Sequence, residues 1–281
     1  MSILVFFMAL VMASGCSTAK KSSGDENVMQ QEAKASEREQ KKQEEDISLA
    51  LYFVKFTADD AYMVREIQTI PHTKQVAKAA LQELINDEKS IFPPGTEVLG
   101  INIEKGLATV NFNEAVLNNT NVGSSGEALG IQSIVNTLTE FPSIERVAFQ
   151  VEGKVDGRAR DWWGHIGLYE QPFTRNLSKV YEPAIWVTHP SPNQIASVPL
   201  LVKGSARVFE GTVNIRLLDG QGNVLAESHT TASAAAPERG DFETSLKYEP
   251  PPAGEGTLEV YWTSPIDGSV QDKVSIPLQW P

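Results

Sequence analysis

Cys16 is the only cysteine among the 281 residues of this chain. A lone thiol allows no disulfide within the chain, no cysteine-based metal site and no Cys-His nucleophile pair in the folded part. The folded part must therefore be held together by ordinary hydrophobic cores. At about 100–200 residues per domain, the length of the chain predicts one or two of them.

Cys16 lies just after a short apolar segment that runs from Ile3 to Met12. This segment has the length of a secretion signal and is too short to cross a hydrocarbon core of about 30 Å as a helix. Residues 1–16 resemble a bacterial lipoprotein signal peptide with its lipobox. The resemblance implies that lipid is attached to Cys16 and holds the protein on the extracytoplasmic face of the cell membrane. The alternative is an ordinary secretion signal with a chance cysteine.

The charge of the chain limits its partners. A formal net charge of −12 argues against nucleic acid and against anionic lipid headgroups, which both attract basic surfaces. Residues 17–46 carry alternating charges of both signs and no aromatic residue. Such a segment cannot bury enough apolar surface to offset its ordering entropy, which predicts a tether that is disordered or a solvated helix.

Residues 47–170 show, in order, two strand patterns, a helix, two strands, a second helix and a last strand. This order predicts an α+β domain with a mixed sheet and two helices packed on one face. Thr73 is expected to cap the first helix, and Ser124 with Glu127 has the spacing of a capping box for the second. The first of the two strands between the helices, Val98 to Glu104, is expected to point three side chains into the core: Leu99, Ile101 and Ile103.

Two runs in this region, GTEVLGINIEKGLATVNFNEAVL and GSSGEALGIQSIVNTLTEFPSIERVAFQVEGK, resemble the GerM domain of bacterial sporulation and germination proteins. The resemblance covers residues 49–168. It implies a compact fold similar to the ring-building motifs of membrane-associated assembly proteins, without enzymatic activity. Typical sporulation members carry two copies of the domain and this chain has one, which argues against a ring-like assembly.

Residues 171–181 read as a linker, and residues 182–281 contain seven short runs in which apolar and polar residues alternate. Seven strands in about 100 residues, with hairpin turns between them, predict an all-β sandwich of immunoglobulin type. The runs SVPLLVKGSARVFEGTVNIRLLDGQGNVLAE and YWTSPIDGSVQDKVSIPL resemble the immunoglobulin-like domain that is fused to GerM domains in spore-forming bacteria.

Few residues suggest catalysis or metal binding. The four histidines have no metal-ligand spacing, no Walker lysine follows the Ser124-Ser125-Gly126 turn, and no GxSxG motif is present. The sequence therefore predicts no enzyme activity, no metal and no cofactor.

Exposed aromatic residues are the best candidates for a binding patch. Arg158, Arg160 and Trp162 lie close together near the end of the first domain, and Trp262 lies in the second. Arg and Trp are enriched at binding hot spots, and exposed Trp can stack on sugar rings. The alternative concerns the neighbouring aromatic residues Trp162-Trp163 and Tyr261-Trp262. Adjacent residues on a strand point to opposite faces, so one residue of each pair would fill the core.

These features together predict a lipid-anchored envelope protein of a spore-forming, Gram-positive bacterium that acts in sporulation or spore germination. Its expected mechanism is the binding of other envelope proteins. The alternative is a surface lipoprotein that binds cell-wall glycan or peptidoglycan through its Trp-bearing faces.

Overall fold

The computed structural model describes residues 46–118, 122–163 and 167–281. Cys16, the predicted lipobox and the predicted tether lie outside these ranges. Among the described residues, none of the helices has the length and apolarity that a membrane span requires. Residues Ile47–Pro281 form one compact unit.

The first part of this unit contains strands and helices in alternation. Its elements are β1 (Asp46–Phe56), β2 (Ala61–Pro71), α1 (Val76–Asn86), β3 (Val98–Glu104), β4 (Leu107–Phe112), α2 (Gly123–Leu138), β5 (Arg146–Val151), the short α3 (Arg158–Asp161), β6 (Phe173–Thr174) and β7 (Val180–Glu182). A single 3₁₀ turn, Glu114–Leu117, follows β4.

These strands divide between two sheets, a feature that the sequence pattern did not reveal. One sheet has the order β1-β2-β7, and the other has the order β3-β4-β5-β6. The second sheet is mixed, because β4 pairs antiparallel with β3 and parallel with β5. Helices α1 and α2 pack on each other, and α1 also contacts β3.

Alternating apolar residues build the core of this part. In β4, Ala108, Val110 and Phe112 are buried while their neighbours are partly exposed. They contact a helical layer that includes Leu81 and Ile134. Burying a large aliphatic side chain contributes about 1.5–3 kcal/mol, so this layer supplies much of the stability of the fold.

The starts of both helices differ from the predictions. Helix α1 begins at Val76 after Gln75, and Thr73 instead accepts a hydrogen bond from the Gln75 backbone N–H in a turn before the helix. Helix α2 begins at Gly123, so that Ser124 lies inside its first turn, and the N-cap residue Val122 makes no side-chain capping hydrogen bond. The capping-box prediction is therefore wrong: positive φ at Gly123 places the chain reversal one residue earlier.

The second part is an antiparallel sandwich. Its strands are β8 (Ile185–His189), β9 (Gln194–Ile195), β10 (Leu200–Ala206), β11 (Thr212–Asp219), β12 (Val224–Thr231), β13 (Gly240–Leu246), β14 (Gly254–Thr263) and β15 (Val270–Trp280). The two sheets have the orders β13-β10-β8 and β12-β11-β14-β15-β9.

The seven predicted strands of the sandwich correspond to β8 and to β10 through β15. Strand β11 shows the expected alternation, with Val213, Ile215 and Leu217 buried against the facing sheet. The fold class is confirmed: an α+β domain precedes an immunoglobulin-like sandwich. Strand β9 pairs parallel with β15 and was not predicted, because two residues are too few to show an alternating pattern.

The segment 171–181 connects the two parts through paired strands. Strand β6 pairs with β5, and β7 pairs with β2, so both contribute to the sheets of the α+β part. A small third hydrophobic cluster contains Tyr52 and Met63 from the α+β part and Trp186 from the sandwich. The two parts therefore share buried apolar contacts.

Candidate functional site

The predicted patch does not assemble around Trp162. Arg158 and Arg160 are exposed on α3, but Trp162 is only 4% exposed and packs edge-on against Phe112 and Phe149, with ring centroids 5.7 and 5.4 Å away. The reason is local backbone geometry: Trp162 has positive φ just after α3, so it lies in a turn that directs the indole inward. The strand alternation argument does not apply there.

Trp262 lies in a different core. It is half-buried at the edge of the sandwich core, and its indole N–H donates a hydrogen bond of 2.7 Å to the Asp272 carboxylate. The structure therefore places Trp162 and Trp262 in two separate hydrophobic clusters. Trp162 is buried, whereas Trp262 is partly exposed on the sandwich.

The described ranges contain no group of three or more His, Cys, Asp or Glu side chains that could hold a metal ion. The polar cluster with clear structure is instead built around one carboxylate, that of Glu140. Its Oε1 accepts hydrogen bonds from the Tyr52 hydroxyl at 2.5 Å and from Arg175 Nη2 at 2.6 Å. Its Oε2 lies 3.3 Å from Arg65 Nη2.

Burial and charge act in opposite directions on this cluster. Burial raises the pKa of Glu140, but the positive charges of Arg175 and Arg65 and the hydrogen bonds outweigh it, so the pKa is lowered from its ordinary value. Burial, with the Glu140 charge, raises the pKa of the Tyr52 phenol. Glu140 is thus ionised and Tyr52 protonated at neutral pH. The cluster stabilises the fold and offers no acid–base pair with a pKa near neutrality.

Trp186 connects this cluster to the sandwich. The Arg65 guanidinium lies 5.0 Å from the Trp186 ring centroid, and the Arg239 guanidinium lies 3.9 Å from it. Arg239 also donates hydrogen bonds to the carbonyl oxygens of Val180, Tyr181, Pro183 and Ala184. Burial and the nearby cations Arg207 and Arg65 lower the pKa of Arg239 to about 10, which leaves it charged at neutral pH. We call this arrangement the Arg-Trp-Arg joint.

An open groove lies between the start of α1 and the edge strand β3. Its volume is about 520 Å³. Apolar, basic and neutral polar residues line it: Lys74, Gln75, Val76, Ala77, Lys78, Leu99, Gly100, Ile101, Ile103, Phe141, Ser143 and Ile144. We call it the α1–β3 groove.

The structure corrects the prediction that three side chains of β3 point into the core. Ile101 packs against the core, but Leu99 is 42% exposed and Ile103 is 43% exposed. The alternation was visible in the sequence. The sequence did not show that no helix covers Leu99 and Ile103. That exposure depends on where α1 begins and on how the strands of the α+β part divide into two sheets.

Among the described strands, β3 pairs only with β4, so β3 is an edge strand of its sheet. The two-residue turn Lys105-Gly106 has positive φ at both positions, as in a type I′ hairpin, which makes Glu104 and Leu107 a hydrogen-bonded pair. Because such pairs alternate, the N–H and C=O groups of Ile101 and Ile103 point away from β4.

Comparisons with known proteins agree with this architecture. Residues 50–157 match the family model described as "Sporulation and spore germination". Residues 184–269 match the model described as "Immunoglobulin-like domain of bacterial spore germination". Residues 50–157 are therefore similar to a sporulation and spore-germination domain of GerM type. Residues 184–269 are similar to the immunoglobulin-like domain of bacterial spore germination. Neither matching family is a known enzyme family.

Solved structures include similar domains. The tandem GerMN domains of the sporulation protein GerM from Bacillus subtilis are 24% identical, cover 47% of this chain and have a TM-score of 0.37. The match spans 46% of that structure, about half of its length. The first GerMN domain of the same protein is 26% identical over 38% of this chain and 84% of that structure, with a TM-score of 0.32. No curated protein sequence matches the chain.

Proposed function

We propose that this protein is a non-enzymatic envelope lipoprotein that acts in sporulation or spore germination through protein–protein interaction. Lipid on Cys16 anchors it to the extracytoplasmic face of the membrane of a Gram-positive cell, and residues 17–46 space the folded unit from the bilayer. The two family matches support the process, and the sequence around Cys16 supports the anchor.

The α1–β3 groove is the observation that carries the interaction role. An open groove with apolar and basic walls lies beside β3, which within the described part of the chain is an edge strand. This arrangement has the shape that accepts an extended polypeptide segment. Leu99 and Ile103 provide the apolar contacts, and the free edge of β3 provides backbone hydrogen bonds. A polypeptide suits these features because it offers both apolar side chains for Leu99 and Ile103 and backbone groups for the edge of β3.

The test is complementation of a strain that lacks the protein, scored by heat-resistant spore yield and germination rate. The wild-type chain should restore both. Ile103→Lys places a charge in the groove and should reduce complementation. Ile67→Lys is the matched control, because Ile67 is also an exposed strand isoleucine, at 58%, and lies away from the groove lining. Equal complementation by both variants would contradict the interaction role of the groove.

The anchor is tested separately with Cys16→Ser. This variant should move the protein from the membrane fraction to the extracytoplasmic soluble fraction, and mass analysis of the wild-type mature N-terminus should find lipid on Cys16. Membrane retention of Cys16→Ser would contradict the anchor without affecting the groove.

A further inference from the structure

We propose that the α1–β3 groove is occupied by strand β3 of a second copy of this chain, paired antiparallel about Ile101. This inference rests on the proposed polypeptide-binding role of the groove and names its partner. The two β3 strands would join two four-stranded sheets across a two-fold axis. This contact closes on itself after two copies, so it differs from a ring.

The backbone of β3 suits such pairing. The outward-pointing N–H and C=O groups belong to Ile101 and Ile103, on the side away from β4. Lys78 Nζ donates a hydrogen bond of 3.4 Å to the Leu99 carbonyl oxygen, so this carbonyl also points away from β4, and a second strand would replace the lysine as its donor. Strand β3 contains no proline, and its one charged residue, Glu104, is at its end. It therefore carries neither a proline nor an internal charged residue, two of the features that prevent edge-to-edge pairing of strands.

The side chains select one register. When Ile101 faces Ile101 of the second copy, Leu99 faces Ile103, and the two solvent-exposed apolar side chains cover each other. The irregularity lies between Val98 and Gly100, and Leu99 lines the groove together with Ile101 and Ile103.

Charges at the ends of the strand favour the same register. Glu97 just precedes β3 and Lys105 just follows it, and both are exposed. In the register centred on Ile101, Glu97 of each copy comes near Lys105 of the other, within reach of long side chains. A slip by two residues would instead place Leu99 opposite Lys105. A slip by one residue would turn the apolar side chains to opposite faces.

The experiment is disulfide crosslinking of the full-length chain in cell membranes under mild oxidation, read on a non-reducing gel. Directly opposite residues in a hydrogen-bonded antiparallel pair have Cα atoms about 5.5 Å apart, a separation that a disulfide can bridge. Ile101→Cys should therefore link to itself in the two-fold pair. Its crosslinked fraction should exceed that of Ile67→Cys by about tenfold or more, because pairing raises the effective concentration of the thiols.

Two controls make the result specific to the register. Ile103→Cys should stay near background, because its two copies would lie about 13 Å apart, four residues along the strand. The unaltered chain measures any crosslinking by Cys16 itself. Adding Ile103→Lys to Ile101→Cys should abolish the dimer band. Charge reversal by Glu97→Lys should reduce crosslinking a few-fold, and adding Lys105→Glu should restore it, an effect that damage to the fold would not produce.

The inference is overturned if Ile101→Cys crosslinks no more than Ile67→Cys, if Ile103→Cys crosslinks equally well, or if Ile101→Cys links to a different protein. The proposed function has a separate outcome. A monomeric wild-type chain whose Ile103→Lys variant fails to complement would refute the second copy and leave the interaction role intact. A dimer whose disruption leaves sporulation and germination unchanged would support the second copy and contradict the interaction role of the groove.

Discussion

At the scale of single residues, the Glu140 carboxylate is shared by Arg65, Arg175 and Tyr52, and only 21% of its side chain is exposed. Glu140→Gln keeps the shape but leaves two largely buried guanidinium groups without a negative partner. We expect the free energy of unfolding to fall by about 2–3 kcal/mol, below the full cost for a deeply buried pair because the site is partly open to water. Urea denaturation of residues 47–281 measures it. Glu243→Gln, which removes an exposed partner of Lys203, should cost less than about 0.5 kcal/mol.

The same residue predicts a pH dependence. The pKa of Glu140 is lower in the folded protein than its ordinary value of 4.5. A group of this kind stabilises the fold fully above its unfolded pKa and loses that contribution as the pH falls through its folded pKa. The stability difference between wild type and Glu140→Gln should therefore be constant near neutrality and narrow below about pH 4.5. A difference that stays constant down to pH 2 would contradict the assigned role of the carboxylate.

At the scale of elements, strand β10 can approach its neighbours because it contains Gly204. A Cβ at this position would lie 2.2 Å from the Trp186 carbonyl oxygen and 2.5 Å from the Phe242 ring. Gly204→Ala should therefore push β8 and β13 away from β10 and destabilise the fold by about 2–3 kcal/mol. Gly100→Ala is the matched control, since nothing lies within 4 Å of a Cβ there. Equal melting temperatures for the two variants would contradict the close packing at Gly204.

Elements differ in how well the sequence predicts them. Strands β10 to β15 follow from alternation, because one face of each packs on a core and the pattern records that directly. Helix starts were less predictable: Ser124 and Glu127 have capping-box spacing, but Gly123 sets the chain reversal. The orientation of Trp162 depends on a turn with positive φ, and the exposure of Ile103 depends on where α1 packs. Both are consequences of tertiary structure, which local spacing does not encode.

At the scale of the whole molecule, the Arg-Trp-Arg joint connects the two domains, and we expect them to unfold as one unit. Arg239 stacks on Trp186 and donates to four carbonyl oxygens between the domains, so its loss leaves a buried ring and several acceptors uncovered. Residues 47–281 should unfold in a single thermal transition, since the domains share a core. Arg239→Ala should separate it into two, each domain then unfolding at its own temperature.

Arg216→Ala provides the comparison for this prediction, because Arg216 pairs with Glu227 at 2.5 Å on the sandwich surface and lies outside the joint. It should lower the free energy of unfolding by about 0–1 kcal/mol and keep one transition. Calorimetry distinguishes the variants by the ratio of calorimetric to van't Hoff enthalpy. Two transitions in the wild-type protein would mean that the joint does not couple the domains. A single transition would mean that the domains unfold cooperatively, so that the packing of Trp186 from the sandwich stabilises the α+β domain as well.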